Sequence, residues 1–220
     1  MQTFASPAPI HAVLDIPAGR IQVIAADRAD TTVEVRPADS AKGRDIKTAG
    51  QTTVAYADGV LHVTAQAPGS QLLGPGSVEV TIQVPAGSSI QAKAAGTELR
   101  GVGRLGDITF DGAYRQIKID EAAGLRLTAV DGNVEVGRLG GPAQISTARG
   151  DITIAEALRG TLELRTQSGN ITVGAAAGVS AALDAGTGHG RVSNALRNDG
   201  TTELDIRATT THGDITARSL

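Results

Sequence analysis

LRLTAVDGNVEV (residues 125–136), AQISTARGDITI (143–154) and LELRTQSGNITV (162–173) are three copies of one twelve-position phrase. Each copy has an apolar pair flanking one other residue, a six-residue connection, and a second such pair. Four more copies align without internal gaps: IQAKAAGTELRG from Ile90, ITFDGAYRQIKI from Ile108, LDAGTGHGRVSN from Leu183 and IRATTTHGDITA from Ile206. Successive starts lie 18, 17, 18, 19, 21 and 23 residues apart. Such a period marks stacked coils of one solenoid rather than independent domains.

Side chains alternate along a strand, so the first and third residues of each apolar pair share a face. Leu125, Leu127, Val134 and Val136 are therefore expected inside their coil, with Arg126 and Glu135 facing water. Over the whole stack the outward column of the second strand reads Lys118, Glu135, Thr153, Thr172, Ser193 and Thr216, a mixed and mostly uncharged surface. The connection carries the turn chemistry. Gly132-Asn133, Gly150-Asp151, Gly169-Asn170 and Gly213-Asp214 repeat a glycine followed by a short Asx side chain, and Gly190 holds the same place in the copy from Leu183. Glycine suits a corner with left-handed backbone geometry, and Asx can accept a hydrogen bond from nearby backbone. In register these residues form ladders rising about 4.8 Å per coil. Thr97 and Arg115 stand at the glycine position of the first two copies and depart from the pattern.

A hairpin at Asp131-Gly132-Asn133 would instead make each phrase two antiparallel strands of a meander. The connection is constant at six residues while the spacer after each phrase varies from five to eleven, which fits a corner plus a variable bulge per coil. The expected fold is all-β: a parallel β-solenoid of about seven coils over residues 90–220, with an N-terminal, partly antiparallel β cap over residues 1–89. In that first region alternation alone marks strands near residues 10–16, 20–25, 31–36, 52–56, 60–65 and 78–84. Asp58-Gly59 is a hairpin signature. The links at 37–50 and 66–77, rich in polar residues, Gly and Pro, are expected to be mobile loops. A stack of coils needs a terminal element to satisfy its backbone edge, which is the reason to read residues 1–89 as a cap; a separately folded β domain is the alternative.

Composition agrees with thin strand layers. Aromatics are 2% of 220 residues and Gly accounts for 28, so the core must be built from small and β-branched side chains. A net charge of −3 with interspersed signs carries no nucleic-acid footprint. The absence of cysteine removes disulfides, thiolate metal sites and a Cys nucleophile. The opening MQTFASPAPIHAVLDIPAGR lacks a basic segment followed by an apolar run, and no window approaches a membrane span. A cytoplasmic protein without a cofactor is the expectation.

The column just before the corner glycine reads Gly96, Tyr114, Asp131, Arg149, Ser168, His189 and His212. His189 and His212, beside Asp214, are the candidates for a divalent metal, since neutral imidazole is a common ligand. A stable site needs three or four ligands in definite geometry, so exposed corner histidines are the structural alternative. His11 and His62 sit in alternating strands and read as cap residues. Asp107, Asp131, Asp151 and Asp184 could pair for acid–base cleavage of a polysaccharide, but no column collects carboxylates on adjacent coils. The column Thr153, Thr172, Ser193, Thr216 resembles ice-binding arrays yet lacks a second threonine column beside it. No serine is framed as a nucleophile elbow, and no glycine-rich segment opens a helix. The last phrase ends at Ala217 with Arg218, Ser219 and Leu220 after it, so its coil is expected to form an open C-terminal edge that recruits another copy or a protein partner.

The order of LDIPAGRIQVIA (14–25), VEVTIQVPAGSSI (78–90), the G-[DN]-[IV]-x-[VI] phrases, GTGHGRVSNAL (186–196) and THGDITAR (211–218) resembles a bacterial β-strand-repeat family of unknown function in its actinobacterial form, labelled "putative adhesin". The resemblance covers essentially the whole chain and implies a β-solenoid without assigned catalytic residues. The expected function is that of a non-catalytic, soluble β-solenoid scaffold acting through protein–protein or self-association. The alternative is a carbohydrate-active or other enzyme using a groove on one solenoid face.

Overall fold

A computed structural model describes residues 1–65, 76–112 and 116–220. Most of the 66–77 link, and Tyr114 and Arg115, lie outside the described residues. The chain forms two compact units, Met1–Arg115 and Gln116–Leu220.

The N-terminal unit holds β1 (Gln2–Ala5), β2 (His11–Asp15), β3 (Ala18–Ala26), β4 (Asp30–Pro37), α1 (Gly43–Gln51), β5 (Thr53–Ala57), β6 (Val60–Thr64), β7 (Val78–Pro85), β8 (Ser89–Ala94) and β9 (Gly96–Gly112). Strand β2 lies between β6 and β8, and β3 between β7 and β9, all parallel. The coil made by β2 and β3 is thus sandwiched, with Ala12, Leu14, Ile21 and Val23 buried between Leu61, Val63, Val80 and Ile82 on one side and Ile90, Ala92 and Leu99 on the other. Antiparallel strands flank this parallel stack. β5 folds back on β6 through the Asp58-Gly59 turn, where Asp58 has φ 51 and Gly59 φ 76. β4 runs against β7, and β1 against β4. The rings of Phe4 on β1 and Tyr56 on β5 lie 5.3 Å apart.

Helix α1 corrects the expectation of a mobile loop at 37–50. Its buried residues are Asp45 and Thr48, while Ile46 is 51% exposed. No apolar stripe announces it, because a polar contact docks it: the Asp45 carboxylate accepts a hydrogen bond from the Ser77 backbone N–H at 3.0 Å. The next residue after the helix, Thr52, donates its hydroxyl to the Thr48 carbonyl at 2.8 Å.

The C-terminal unit holds β10 (Ile117–Asp131), β11 (Val134–Leu139), β12 (Ala143–Arg149), β13 (Ile152–Ala157), β14 (Gly160–Ser168), β15 (Ile171–Ala175), β16 (Ala181–His189), β17 (Val192–Ala195), β18 (Leu204–His212) and β19 (Ile215–Ser219). Every pairing described within it is parallel. Leu125 stands opposite Ala143, and Ala143 opposite Leu162, so like positions of the phrase lie over one another. This is the expected parallel β-solenoid and not a meander of hairpins, for which Asp131 and Asn133 would face each other across a turn. The interior rows are Leu125, Ala143, Leu162 and Ile206, then Leu127, Ile145, Leu164 and Ala208, against Ile117, Val134, Ile152, Ile171 and Ile215; all are buried. Full burial of each Leu, Ile or Val contributes about 1.5–3 kcal/mol before the entropy of ordering is counted.

The coils do not stack in chain order. β18 pairs with β14 on one flank and β16 on the other, and β19 lies between β15 and β17 in the same way. The last phrase is therefore interior, and the outermost coil is the one before it, residues 181–195. This corrects the expectation that the final phrase forms the open edge. The physical reason is that the phrase encodes the same inward and outward faces in every copy, so either copy can fill either level. The spatial row Leu164, Ala208, Ala185 and the row Val173, Ala217, Asn194 show the interior shrinking and turning polar toward that outer coil.

Candidate functional site

The most regular surface feature of the C-terminal unit is its corner, where the first strand of each coil turns into the second. Each corner glycine approaches the glycine of the coil beneath it. Gly150, at φ 126, has no room for a side chain, since a Cβ there would sit 2.2 Å from the Gly132 carbonyl oxygen. Gly213, at φ 147, would place one 2.0 Å from the Gly169 oxygen. Gly169 and Gly190 occupy the same row. Backbone bonds link the levels: Gly132 N–H donates to Arg149 C=O, Gly150 to Ser168, Gly169 to His212 and Gly213 to His189, at 2.9–3.0 Å.

Beside the glycines runs a side-chain ladder. Asn133 Oδ1 accepts from the Asp151 N–H at 2.9 Å, Asp151 Oδ1 from Asn170 at 2.7 Å, Asn170 Oδ1 from Asp214 at 2.8 Å, and Asp214 Oδ1 from Arg191 at 2.8 Å. In space the row alternates amide, carboxylate, amide, carboxylate and ends on a guanidinium. Neutral amides thus separate carboxylates that would otherwise stand one strand spacing apart and repel. The Arg191 backbone N–H, then its guanidinium at 3.2 Å, hold the Asp214 carboxyl below its ordinary value.

Inside the corner lies a row that the sequence reading did not single out. Thr166 Oγ1 donates to the Gly150 carbonyl at 3.2 Å, Thr210 to Gly169 at 3.0 Å and Thr187 to Gly213 at 2.9 Å, while Thr147 donates to Arg149 C=O at 3.0 Å. The first three hydroxyls satisfy carbonyls of the glycine row at the edge of the core, and Thr147 adds a second donor to a carbonyl that already accepts from Gly132. Their signal was present in the phrase: a threonine in the fifth position of four consecutive copies, inward by alternation yet polar.

His189 and His212 are cross-strand neighbours, and their rings stack with centroids 4.9 Å apart at an interplanar angle of 4°. Stacked rings keep their in-plane nitrogen lone pairs in nearly parallel planes, which does not aim both at one ion, and Asp214 beside them is engaged by Arg191. Among the described residues no group of three His, Cys, Asp or Glu side chains is placed to hold a metal. Asp131 pairs with Arg149 at 3.3 Å, Asp151 serves the corner ladder, and Asp184 lies on the outward face of β16. Thr97, in the N-terminal unit, is buried and donates to the Ile16 carbonyl at 2.8 Å. The outward column Lys118, Glu135, Thr153, Thr172, Thr216, Ser193 is in register, with the last two levels exchanged relative to the chain.

The outer coil is the least covered part of the unit. All four residues of β17 are exposed, Val192 at 46%, and Arg191 projects into solvent with its side chain 89% exposed. Among the described residues β16 and β17 each have a ladder partner on one flank only. Among the described residues no helix is long and apolar enough to cross a membrane.

A family model described as Toastrack DUF4097 matches residues 13–219. No curated protein matches. The solved structure of a "putative adhesin" from Bacteroides fragilis NCTC 9343 is similar at 14% identity with a TM-score of 0.55, covering 98% of this chain and 95% of that one. At that identity the likeness speaks to the fold alone. A "putative adhesin" from Parabacteroides merdae ATCC 43184 shares 12% identity at a TM-score of 0.40, covering 98% of this chain and 94% of that one. A "putative cell adhesion protein" from Clostridium sporogenes ATCC 15579 shares 12% at 0.36, covering 100% and 98%.

Proposed function

The chain belongs to the Toastrack DUF4097 family, and from that membership we propose that it is a non-catalytic, adhesin-like β-solenoid scaffold that binds a protein partner or a second copy of itself. The contact surface in this reading is the outer coil of β16 and β17. One observation carries it: beyond the Ala181 N–H, which donates to the Arg197 carbonyl at 2.9 Å, these strands present a row of backbone groups with no ladder partner on their outer flank among the described residues. Unpaired strand edges are templates for strand addition by another chain. Residues 1–89, in the same reading, act as the cap of the stack that begins at Ile90.

Light scattering of the full chain over a range of concentrations tests this, together with the Val192→Lys variant. Val192 is exposed, so the charge leaves the fold intact while burdening any contact at that edge. Association of the native chain that Val192→Lys abolishes at unchanged melting temperature supports the assignment. A native chain that stays monomeric throughout and captures no partner on cross-linking overturns it.

A further inference from the structure

On the outward face of β14, β18 and β16, charges gather without closing on one another. One cross-strand row places Glu163, Arg207 and Asp184 side by side, and the row two residues further on places Arg165, Thr209 and Gly186. Several outward cations nearby take a neighbouring carboxylate: Lys118 with Glu135 at 3.2 Å, Arg138 with Glu156 at 3.3 Å, Arg149 with Asp131 at 3.3 Å. In the N-terminal unit a polar groove of about 370 Å³ has lining charges paired in the same way, Arg20 with Glu98 and Lys42 with Asp39, both at 3.2 Å. Here Arg207 sits between two acids yet turns along its own strand to Asp205 at 3.0 Å. Arg165 faces neutral Ser146 and Thr209 and makes no ion pair among the described residues. Between these side chains runs a groove of about 180 Å³. Its walls are Glu163, Arg165, Asp184, Arg207, Ala208 and Thr209, and Gly186, the cross-strand neighbour of Thr209, has open space where a Cβ would stand.

The charges define what fits. A simple anion is drawn by Arg165 and Arg207 but repelled by Glu163 and Asp184, and a simple cation meets the reverse. A free amino acid could place its carboxylate on the guanidiniums, but Glu163 and Asp184 lie two strands apart, about 9–10 Å at Cα, and one ammonium cannot serve both. A ring carrying one carboxylate and several hydroxyls can. We propose that this groove binds a hexuronate unit, the carboxylate held by Arg165 and Arg207 as charge-assisted pairs and the hydroxyls donating to Glu163 and Asp184, with Thr209 at the side. The assignment is independent of the edge contact proposed above.

NMR titration of the full chain with sodium D-glucuronate tests it, with D-glucose, sodium sulfate and glycine as comparisons. Arg165→Ala and Gly186→Leu are the variants. The first removes a guanidinium from the groove wall, and the second sets a bulky side chain beside Thr209 at the groove's margin, where the fold has room for it. Saturable shifts confined to β14, β18 and β16, weakened at least tenfold by either variant at unchanged melting temperature, support the site. Failure of glucuronate to bind overturns it. So does equal binding of glucose, sulfate or glycine, or glucuronate binding that neither variant weakens.

Discussion

The outermost coil of the N-terminal unit and that of the C-terminal unit end their stacks by opposite means. β6 and β7 are flanked by antiparallel strands, β5 on one and β4 followed by β1 on the other, and Phe4 and Tyr56 join the two flaps. The strands left at that margin are 4 and 5 residues long, which is one way natural sheets blunt an edge. Among the described residues β16 and β17 receive no such flaps, and the coil thins instead: Asn194 stands where its neighbours have Ala217 and Val173. The row of Asx acceptors ends on Arg191, which can donate to the level below but offers no oxygen to a level above. An edge can be closed by adding strands of opposite sense, or by removing the groups that would welcome another coil. The first adds buried surface and the second leaves the backbone row accessible.

The largest expected effect comes from deleting residues 204–220. That removes β18 and β19, which hold β14 and β15 on one side and β16 and β17 on the other, and the cooperative unfolding of the C-terminal unit should disappear. Hydrogen exchange at β16 amides reads this directly, and protection that survives the deletion contradicts the observed order of levels. Next is Gly150→Val, which must relieve both a positive φ and a Cβ 2.2 Å from a carbonyl oxygen; about 3 kcal/mol or more should be lost in denaturant melts. Gly186→Ala, with open space around it, should stay within about 0.5 kcal/mol. At the flapped margin, a Phe4→Leu, Tyr56→Leu double-mutant cycle should give a coupling of about 0.5–1 kcal/mol. Zero coupling would mean that the flaps are held by their ladders alone.

The smallest effect is Asp214→Asn. It keeps the acceptor of the ladder but loses the Arg191 ion pair. Because the carboxyl is held below its ordinary value when folded, its contribution is present above the unfolded pKa of about 4 and fades as pH falls through the folded one. Thermal melts of the two proteins should differ slightly at neutral pH and converge in acid.

Much of this was legible in the repeat. Leu125, Ala143 and Leu162 stand in a row because the phrase fixes which side chains face inward, and the glycine–Asx pairs mark where each coil turns. The order of levels was not legible from the phrase, since all copies carry the same faces. Its trace lies in the spacing: the two longest intervals, 21 and 23 residues, precede Leu183 and Ile206, where the chain steps past a level and returns. The alternation of charge along the corner ladder emerges only once Asp214 and Arg191 exchange places. Helix α1 escaped notice because what it buries is an aspartate and a threonine. The open groove by Arg165 could not be seen either, for it depends on Arg207 turning toward Asp205 and away from its cross-strand neighbours.

The exchanged levels also set a constraint on synthesis. Residues 181–195 leave the ribosome before the segment against which they will rest, and β14 likewise waits bare for the same segment. Until residues 204–219 dock, a folding chain therefore carries two half-made surfaces facing an empty level one strand thick. Any extended peptide of suitable pattern fits that level, so how fast the last segment docks bears on whether the unit closes on itself.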